Sequence, residues 1–152
     1  MNGRFVVFDT SIYIPYLRGQ AYANLVEPVG RSAHIHLSAV VVAELYAGTR
    51  SARDKADLDV VVRAYQSLGY LLGVTTEDWI RAGQAIRRYT RLYARIEPRE
   101  HLNDILILAS SGRAGAAVLT ENAAPFARWA ALLRRMGCPA RVAGIRREDY
   151  LD

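Results

Sequence analysis

Apolar positions fall in short runs along the chain, and the runs alternate between a strand-like and a helix-like spacing. Arg4-Phe5-Val6-Val7-Phe8 is β-branched and aromatic and stops at Asp9-Thr10-Ser11, which is helix-opening chemistry. A short buried strand running into a helix is expected there, with Pro15 near the helix's first turn. His34-Ile35-His36-Leu37 reads as the next strand, followed by Ser38 as N-cap and a helix through Val40, Val41, Glu44, Leu45 and Gly48. The mixed-charge amphipathic stretch from Ala52 to Leu68 predicts a helix, and Tyr70-Leu71-Leu72-Gly73-Val74 a short strand. Thr76 is expected to cap a long arginine-rich helix reaching about Arg95. Pro98 is expected to open a further helix through Ile105 to Ser111, ended by Gly112 and Gly115. Ala116-Ala117-Val118-Leu119 predicts a strand, Pro125 to Met136 a helix, and Ala140 to Ala143 a last edge strand.

This alternation predicts an α/β domain whose mostly parallel sheet is covered by helices on both faces. Ligands in such sheets sit at the carboxyl ends of the strands, which is where Asp9 falls. With no internal repeat, low-complexity segment or linker, residues 1–152 are expected to form a single domain.

Three acids break the apolar pattern: Asp9, Glu44 and Asp104 each interrupt a core-building run, and no Lys or Arg sits within those runs. Glu44 lies four residues after Val40 and three after Val41, on the same helix face. Asp104 precedes Ile105-Leu106-Ile107-Leu108-Ala109, a run too continuously apolar for a surface helix. A carboxylate in an apolar medium costs several kcal/mol unless something pairs with it. Taken singly, Asp9 and Asp104 suit N-caps and Glu44 a solvated helix position. Taken together, they suit a shared divalent cation, because two like charges about 4 Å apart repel by roughly 4 kcal/mol at an effective dielectric near 20. Hard ions such as Mg²⁺ or Mn²⁺ take carboxylate oxygens and keep waters free for chemistry on phosphate.

Composition narrows the class. Half the residues are hydrophobic and mean hydropathy is near zero, as in globular domains. The apolar runs are far short of the roughly 20 residues a membrane span needs, and the four apolar residues before Asp9 are too few for a secretory segment. A cytoplasmic protein without membrane contact is therefore expected. The single cysteine, Cys138, excludes an internal disulfide or a cysteine metal cage. Net charge is +5, and of twenty basic residues only Lys55 is a lysine, a balance compatible with phosphate recognition. Arg81, Arg87, Arg88, Arg91 and Arg95 recur on the long helix with Tyr89 and Tyr93 among them, a mixture able to bind phosphates and stack bases; solvated helix surface is the plainer role for any one of them.

Other chemistries fit less well. A phosphate-accepting Asp9 of a phosphatase wants a second Asp two residues on, where Ser11 stands, and a receiver domain wants a late lysine. No glycine-rich phosphate loop ending in Gly-Lys occurs. His34 and His36 alternate on one strand and so face one side, which strand-surface placement explains without a metal.

Phe8-Asp9-Thr10-Ser11, Val42-Ala43-Glu44-Leu45-Tyr46-Ala47-Gly48, Asn103-Asp104-Ile105-Leu106-Ile107-Leu108-Ala109 and Leu119-Thr120-Glu121-Asn122 before Phe126 together resemble the PIN-domain ribonucleases, especially the VapC-type toxins of prokaryotic toxin–antitoxin pairs. The resemblance runs in order over nearly the whole chain. It implies a three-layer fold with a central, mostly parallel four- or five-stranded sheet. It further implies a metal-dependent endoribonuclease, the toxin of a type II toxin–antitoxin system, in which Asp9, Glu44 and Asp104 are catalytic and hold Mg²⁺ or Mn²⁺. An RNA substrate, a homodimer and a cognate antitoxin covering the acidic cleft follow from the same resemblance. The chain departs from the family at Pro125, where an acid is common before the Phe. Thr10, Glu121 and Asn122 are candidates for additional site residues. The departure keeps an alternative open, a catalytically impaired PIN-like RNA-binding module.

Overall fold

The computed structural model describes residues 5–27 and 34–152. Arg4, placed in the first predicted strand, lies outside them. Five parallel strands, β1 (Phe5–Phe8), β2 (His34–Ser38), β3 (Leu71–Leu72), β4 (Ala116–Thr120) and β5 (Arg141–Gly144), form one sheet in the order β3-β2-β1-β4-β5. Parallel neighbours need crossovers, and helices supply them: α1 (Thr10–Leu17), α2 (Ala23–Val26), α3 (Ala39–Ala47), α4 (Ala52–Leu68), α5 (Thr76–Leu92), α6 (Leu102–Arg113) and α7 (Ala123–Arg135). The result is the α/β architecture expected from the alternation, a central parallel sheet flanked by helices.

Burial explains which segments took which form. In β1, Val7 and Phe8 are fully covered, as a central strand requires. Every residue of α6 from Ile105 to Gly112 is buried, so that helix is enclosed by the sheet, α5 and α7 rather than lying on the surface. Gly112 allows this: a Cβ there would meet the backbone of Pro139 and Ala140 at 3.1–3.2 Å. His36 is packed between rings, 4.9 Å from Phe5 and 5.4 Å from Tyr70.

Boundaries shift where capping chemistry acts. Thr75, not Thr76, caps α5, because Asp78 three residues on completes a reciprocal box: Thr75 Oγ1 accepts from the Asp78 N–H and the Asp78 carboxylate accepts from the Thr75 N–H. The same helix stops at Leu92, short of Arg95. Pro98 opens only a 3-10 turn, Pro98–Glu100, and α6 starts separately at Leu102. Helix α7 starts two residues before Pro125, which sits in its first turn, where a missing N–H costs nothing. Helix α2 and the 3-10 turn Arg147–Asp149 are too short to leave a periodic signal. After that turn the chain returns to α2: Leu151 bridges Ala21, and the Tyr22 N–H donates to the Tyr150 carbonyl at 2.8 Å. Among the described residues no helix is long and apolar enough to cross a membrane.

Candidate functional site

In the strand order β3-β2-β1-β4-β5, the crossovers run one way from β1 to β2 and β3 and the other way to β4 and β5. The crevice outside the carboxyl ends of β1 and β4 is therefore the ligand-binding position of such a sheet. Asp9 leaves β1 at that point and N-caps α1, with only 5% of its surface exposed. Thr120 ends β4 beside it and is fully buried.

The carboxylate of Asp9 is held from both sides. Oδ1 accepts from the Ser11 N–H at 3.1 Å and from Ser11 Oγ, and Oδ2 accepts from Thr120 Oγ1 at 2.8 Å. Each hydroxyl has its own acceptor capacity engaged by backbone: Ser11 Oγ takes the Glu121 N–H at 3.0 Å, and Thr120 Oγ1 the Asn122 N–H at 2.9 Å. A hydroxyl has one proton to give, and these contacts direct both protons at Asp9. The loop from β4 to α7 thus fixes the orientation of the acid at the end of β1. Burial pushes the Asp9 carboxyl above the ordinary carboxylate range, outweighing the bonds from Ser11 and Thr120 that pull it down, with the charge of Glu121 adding to the rise.

Glu44, half-buried on α3, is also raised, first by burial, then by the charge of Asp104, against a hydrogen bond from the Asn103 side chain, and further by Asp9. Asp104, in the first turn of α6, is raised by burial and then by Asp9, with His101 opposing. The three acids therefore lie in one another's electrostatic field. Among the described residues none of them makes an ion pair.

Among those same residues, no group of three or more His, Cys, Asp or Glu side chains is gathered closely enough to hold a metal ion. Residues 9, 44 and 104, expected from the sequence to gather into a ligand cluster, do not form such a group. The donor chemistry still suits a hard divalent ion, since all three groups offer carboxylate oxygens and, among the described residues, none forms an ion pair.

The additional candidates have other work. The Glu121 carboxylate accepts from Tyr22 Oη at 2.6 Å and from Arg147 Nε and Nη2 at 2.8 and 3.0 Å. Arg147 first of all, despite burial, keeps it below the ordinary range. Asn122 donates its backbone N–H to Thr120 and makes no side-chain cap bond to α7. Thr10 is the first residue of α1, but the hydroxyl that reaches Asp9 belongs to Ser11. The Tyr22–Glu121–Arg147 tie joins residues up to 125 positions apart and had no local sequence signal. Beside Glu44 opens a groove of about 360 Å³ lined by Ile14, Leu17, Leu45 and Leu58 together with Arg18, Arg50, Asp54 and Asp57.

Comparison with known proteins agrees with this architecture. The chain is similar to DNA-bound VapBC from Salmonella typhimurium, at 21% identity with a TM-score of 0.61 over 93% of this chain and 97% of that one. It is similar to VapBC2 from Rickettsia felis bound to a promoter DNA fragment, at 18% identity and TM-score 0.63 over 93% and 99%. VapBC-1 from nontypeable Haemophilus influenzae follows at 12% identity and TM-score 0.57 over 92% and 97%. At these identities the likeness is one of fold. No curated protein sequence matches the chain significantly. The PIN-domain pattern itself matches residues 6–132, most of the chain, which therefore belongs to the PIN-domain family.

Proposed function

We propose that this PIN domain, acting as one unit over residues 1–152, binds single-stranded RNA at the acidic end of its sheet and is the toxin-type member of a toxin–antitoxin pair. The observation that carries the proposal is a set of three carboxylates in one field with no ion-pair partner among the described residues, one of them clamped at the switch point of the sheet. The VapBC structures of like fold, a further one of which is described as a member of a family of toxin–antitoxin systems, support the pairing. The groove beside Glu44, with both aliphatic and charged side chains in its lining, suits an amphipathic segment of an antitoxin, and a homodimer and a cytoplasmic setting belong to the same reading.

Two forms of this reading differ in turnover. In one, the protein is a metal-dependent endoribonuclease: Asp9, Glu44 and Asp104 would hold Mg²⁺ or Mn²⁺, which when bound supplies an activated water and neutralises charge on the phosphoryl oxygens. Ser11 and Thr120 then keep Asp9 in place for the ion. In the other, the protein is a catalytically impaired RNA-binding module. The unclosed acidic set and the absence of a carboxylate at Pro125 favour this second form, while the donor chemistry favours the first. Incubating the purified chain with single-stranded RNA and Mn²⁺ decides between them. Cleavage that disappears in Asp9→Asn establishes the nuclease; RNA binding without cleavage establishes the module; neither binding nor cleavage removes the proposal.

A further inference from the structure

Two stretches of this chain are rich in arginine and contain no acid. From Trp79 to Ile96 there are five arginines, and from Ala123 to Arg147 six more, so over half of the twenty basic residues sit in two acid-free segments. The fold lays these segments together. Helices α5 and α7 pack through Tyr89 on Trp129, ring centroids 5.1 Å apart, and Arg128 Nη1 donates to Tyr89 Oη at 3.3 Å.

Along α5 runs a groove of about 600 Å³ lined by Gln84, Arg87, Arg88, Arg91, Leu92 and Met136, the last from the end of α7. Other arginines are paired with acids: Arg81 with Glu77, Arg113 with Asp78, Arg146 with Asp149 and Arg147 with Glu121. Arg87, Arg88 and Arg91 are exposed and, among the described residues, form no ion pair. Three guanidinium groups within about one turn of helix, with an amide and two apolar side chains beside them, form a surface built for a polyanion. Past the end of α5, Tyr93 is 62% exposed and rests on Tyr89 at 5.0 Å, leaving ring surface open to a base. The ring contacts continue from Tyr89 through Trp129 to His101, 5.4 Å from Trp129 and one turn before Asp104.

We infer that the Gln84–Arg87–Arg88–Arg91 groove of α5 binds the phosphate backbone of single-stranded RNA, with Tyr93 stacking a base, as a site separate from the acidic residues. This rests on the RNA reading proposed above and specifies where the strand is gripped. The structure also removes two sequence candidates from that grip: Arg81 is engaged by Glu77, and Tyr89 is packed inward on Trp129.

The test is fluorescence anisotropy of a labelled single-stranded RNA of about a dozen nucleotides, within the range of site sizes seen for single-strand binders, with the full chain in EDTA. Without divalent ion the acidic residues repel phosphate, so binding reports the arginines. The triple variant Arg87→Gln/Arg88→Gln/Arg91→Gln is expected to lose about tenfold or more in affinity. Its log-log salt slope should fall by about 2, from three phosphate contacts at roughly 0.7 each for single strands. Tyr93→Ala is expected to weaken binding about fivefold or more, within the range of one lost stacking contact. Lys55→Gln, on α4, serves as a charge control with affinity unchanged. All four positions replaced in the arginine and tyrosine variants are at the surface, and an unaltered melting curve verifies folding. Wild-type binding matched by the triple variant overturns this inference and leaves the proposed function standing. Wild-type protein that binds no RNA with or without Mn²⁺ overturns both. Undiminished binding by Tyr93→Ala, with displacement by polyglutamate of equal charge as complete as by unlabelled RNA, overturns it in favour of an acidic protein partner.

Discussion

Asp9 and Asp78 are both nearly inaccessible carboxylates at the start of a helix, and the chain treats them in opposite ways. Asp78 has no exposed surface, yet its carboxyl lies below the ordinary range: burial pushes it up, but bonds from Arg113 and from the Thr75 N–H, with the guanidinium charge, more than offset that. Arg113 Nε and Nη2 reach the Asp78 oxygens at 3.0–3.2 Å, and Nη2 also donates to the Gly73 carbonyl at 2.8 Å. Asp9 is held by two hydroxyls and one N–H and receives no cation, so burial wins and its carboxyl is raised. One acid is neutralised internally and fastens α5 to α6; the other, with Glu44 and Asp104, keeps its negative charge available. A buried acid with its own arginine marks architecture, and buried acids that share a field without one fit the proposed role of receiving an external cation.

The largest way to break this contrast is to remove the arginine. Arg113→Met should destabilise the protein by about 3 kcal/mol, towards the lower end for a broken buried pair because Arg113 is itself 34% exposed. Urea denaturation measures it, and a loss below about 1 kcal/mol would show that Asp78 does not depend on its partner. The converse change is to supply a cation where none is built in. Millimolar Mn²⁺ should raise the melting temperature, by the equivalent of about 2.7 kcal/mol at a hundredfold excess over Kd, because only the folded chain brings the three acids near one another. Asp9→Asn should abolish the response and Arg113→Met should retain it. An unshifted transition in the wild-type chain would leave the acidic set without a metal.

A smaller effect probes the repulsion itself. Asp104→Asn removes one of the three charges without removing a hydrogen bond to Asp9, and it should stabilise the metal-free protein by on the order of 1 kcal/mol while weakening its response to Mn²⁺. Loss of stability in thermal denaturation would assign Asp104 to capping α6 instead.

The contrast between the two acids also explains what could be read from sequence. Alternating runs locate all five strands, because strand burial is written in consecutive residues such as Val6-Val7-Phe8 and Ala116-Ala117-Val118. Asp9, Glu44 and Asp104 stand out because each interrupts such a run. Asp78 did not, since it lies in a polar first turn, and its partner Arg113 is 35 residues away at the far end of another helix. Thr75 rather than Thr76 caps α5 because the deciding residue is Asp78, whose carboxylate returns to the Thr75 N–H. The engagement of Glu121 by Tyr22 and Arg147 was likewise invisible, so its carboxylate looked free for the site. Local pattern reports which residues are costly to bury; which of them are compensated depends on partners that only the fold brings in.

The smallest effect separates the two classes of acid by the sign of their pH dependence. Asp9, Glu44 and Asp104 have carboxyls raised above their unfolded values, so in the window between the two the folded state binds more protons than the unfolded chain. Stability from these groups is present at and below their unfolded pKa and is lost as pH rises through the raised folded pKa. Asp78 and Glu121, with lowered carboxyls, have the opposite sign: their contribution is present above the unfolded pKa and lost as pH falls through the lowered one. In EDTA, lowering the pH from neutrality into the interval between the raised folded and the unfolded carboxyl values should therefore raise the melting temperature, by about 2 °C for each 1 kcal/mol regained in a chain of this size. Millimolar Mn²⁺ should reverse the trend, because protons then compete with the ion for the same oxygens. The double variant Glu44→Gln/Asp104→Asn should flatten both curves. A wild-type profile in EDTA with no rise on acidification into that interval would mean that the acidic set stores no repulsion for a cation to relieve.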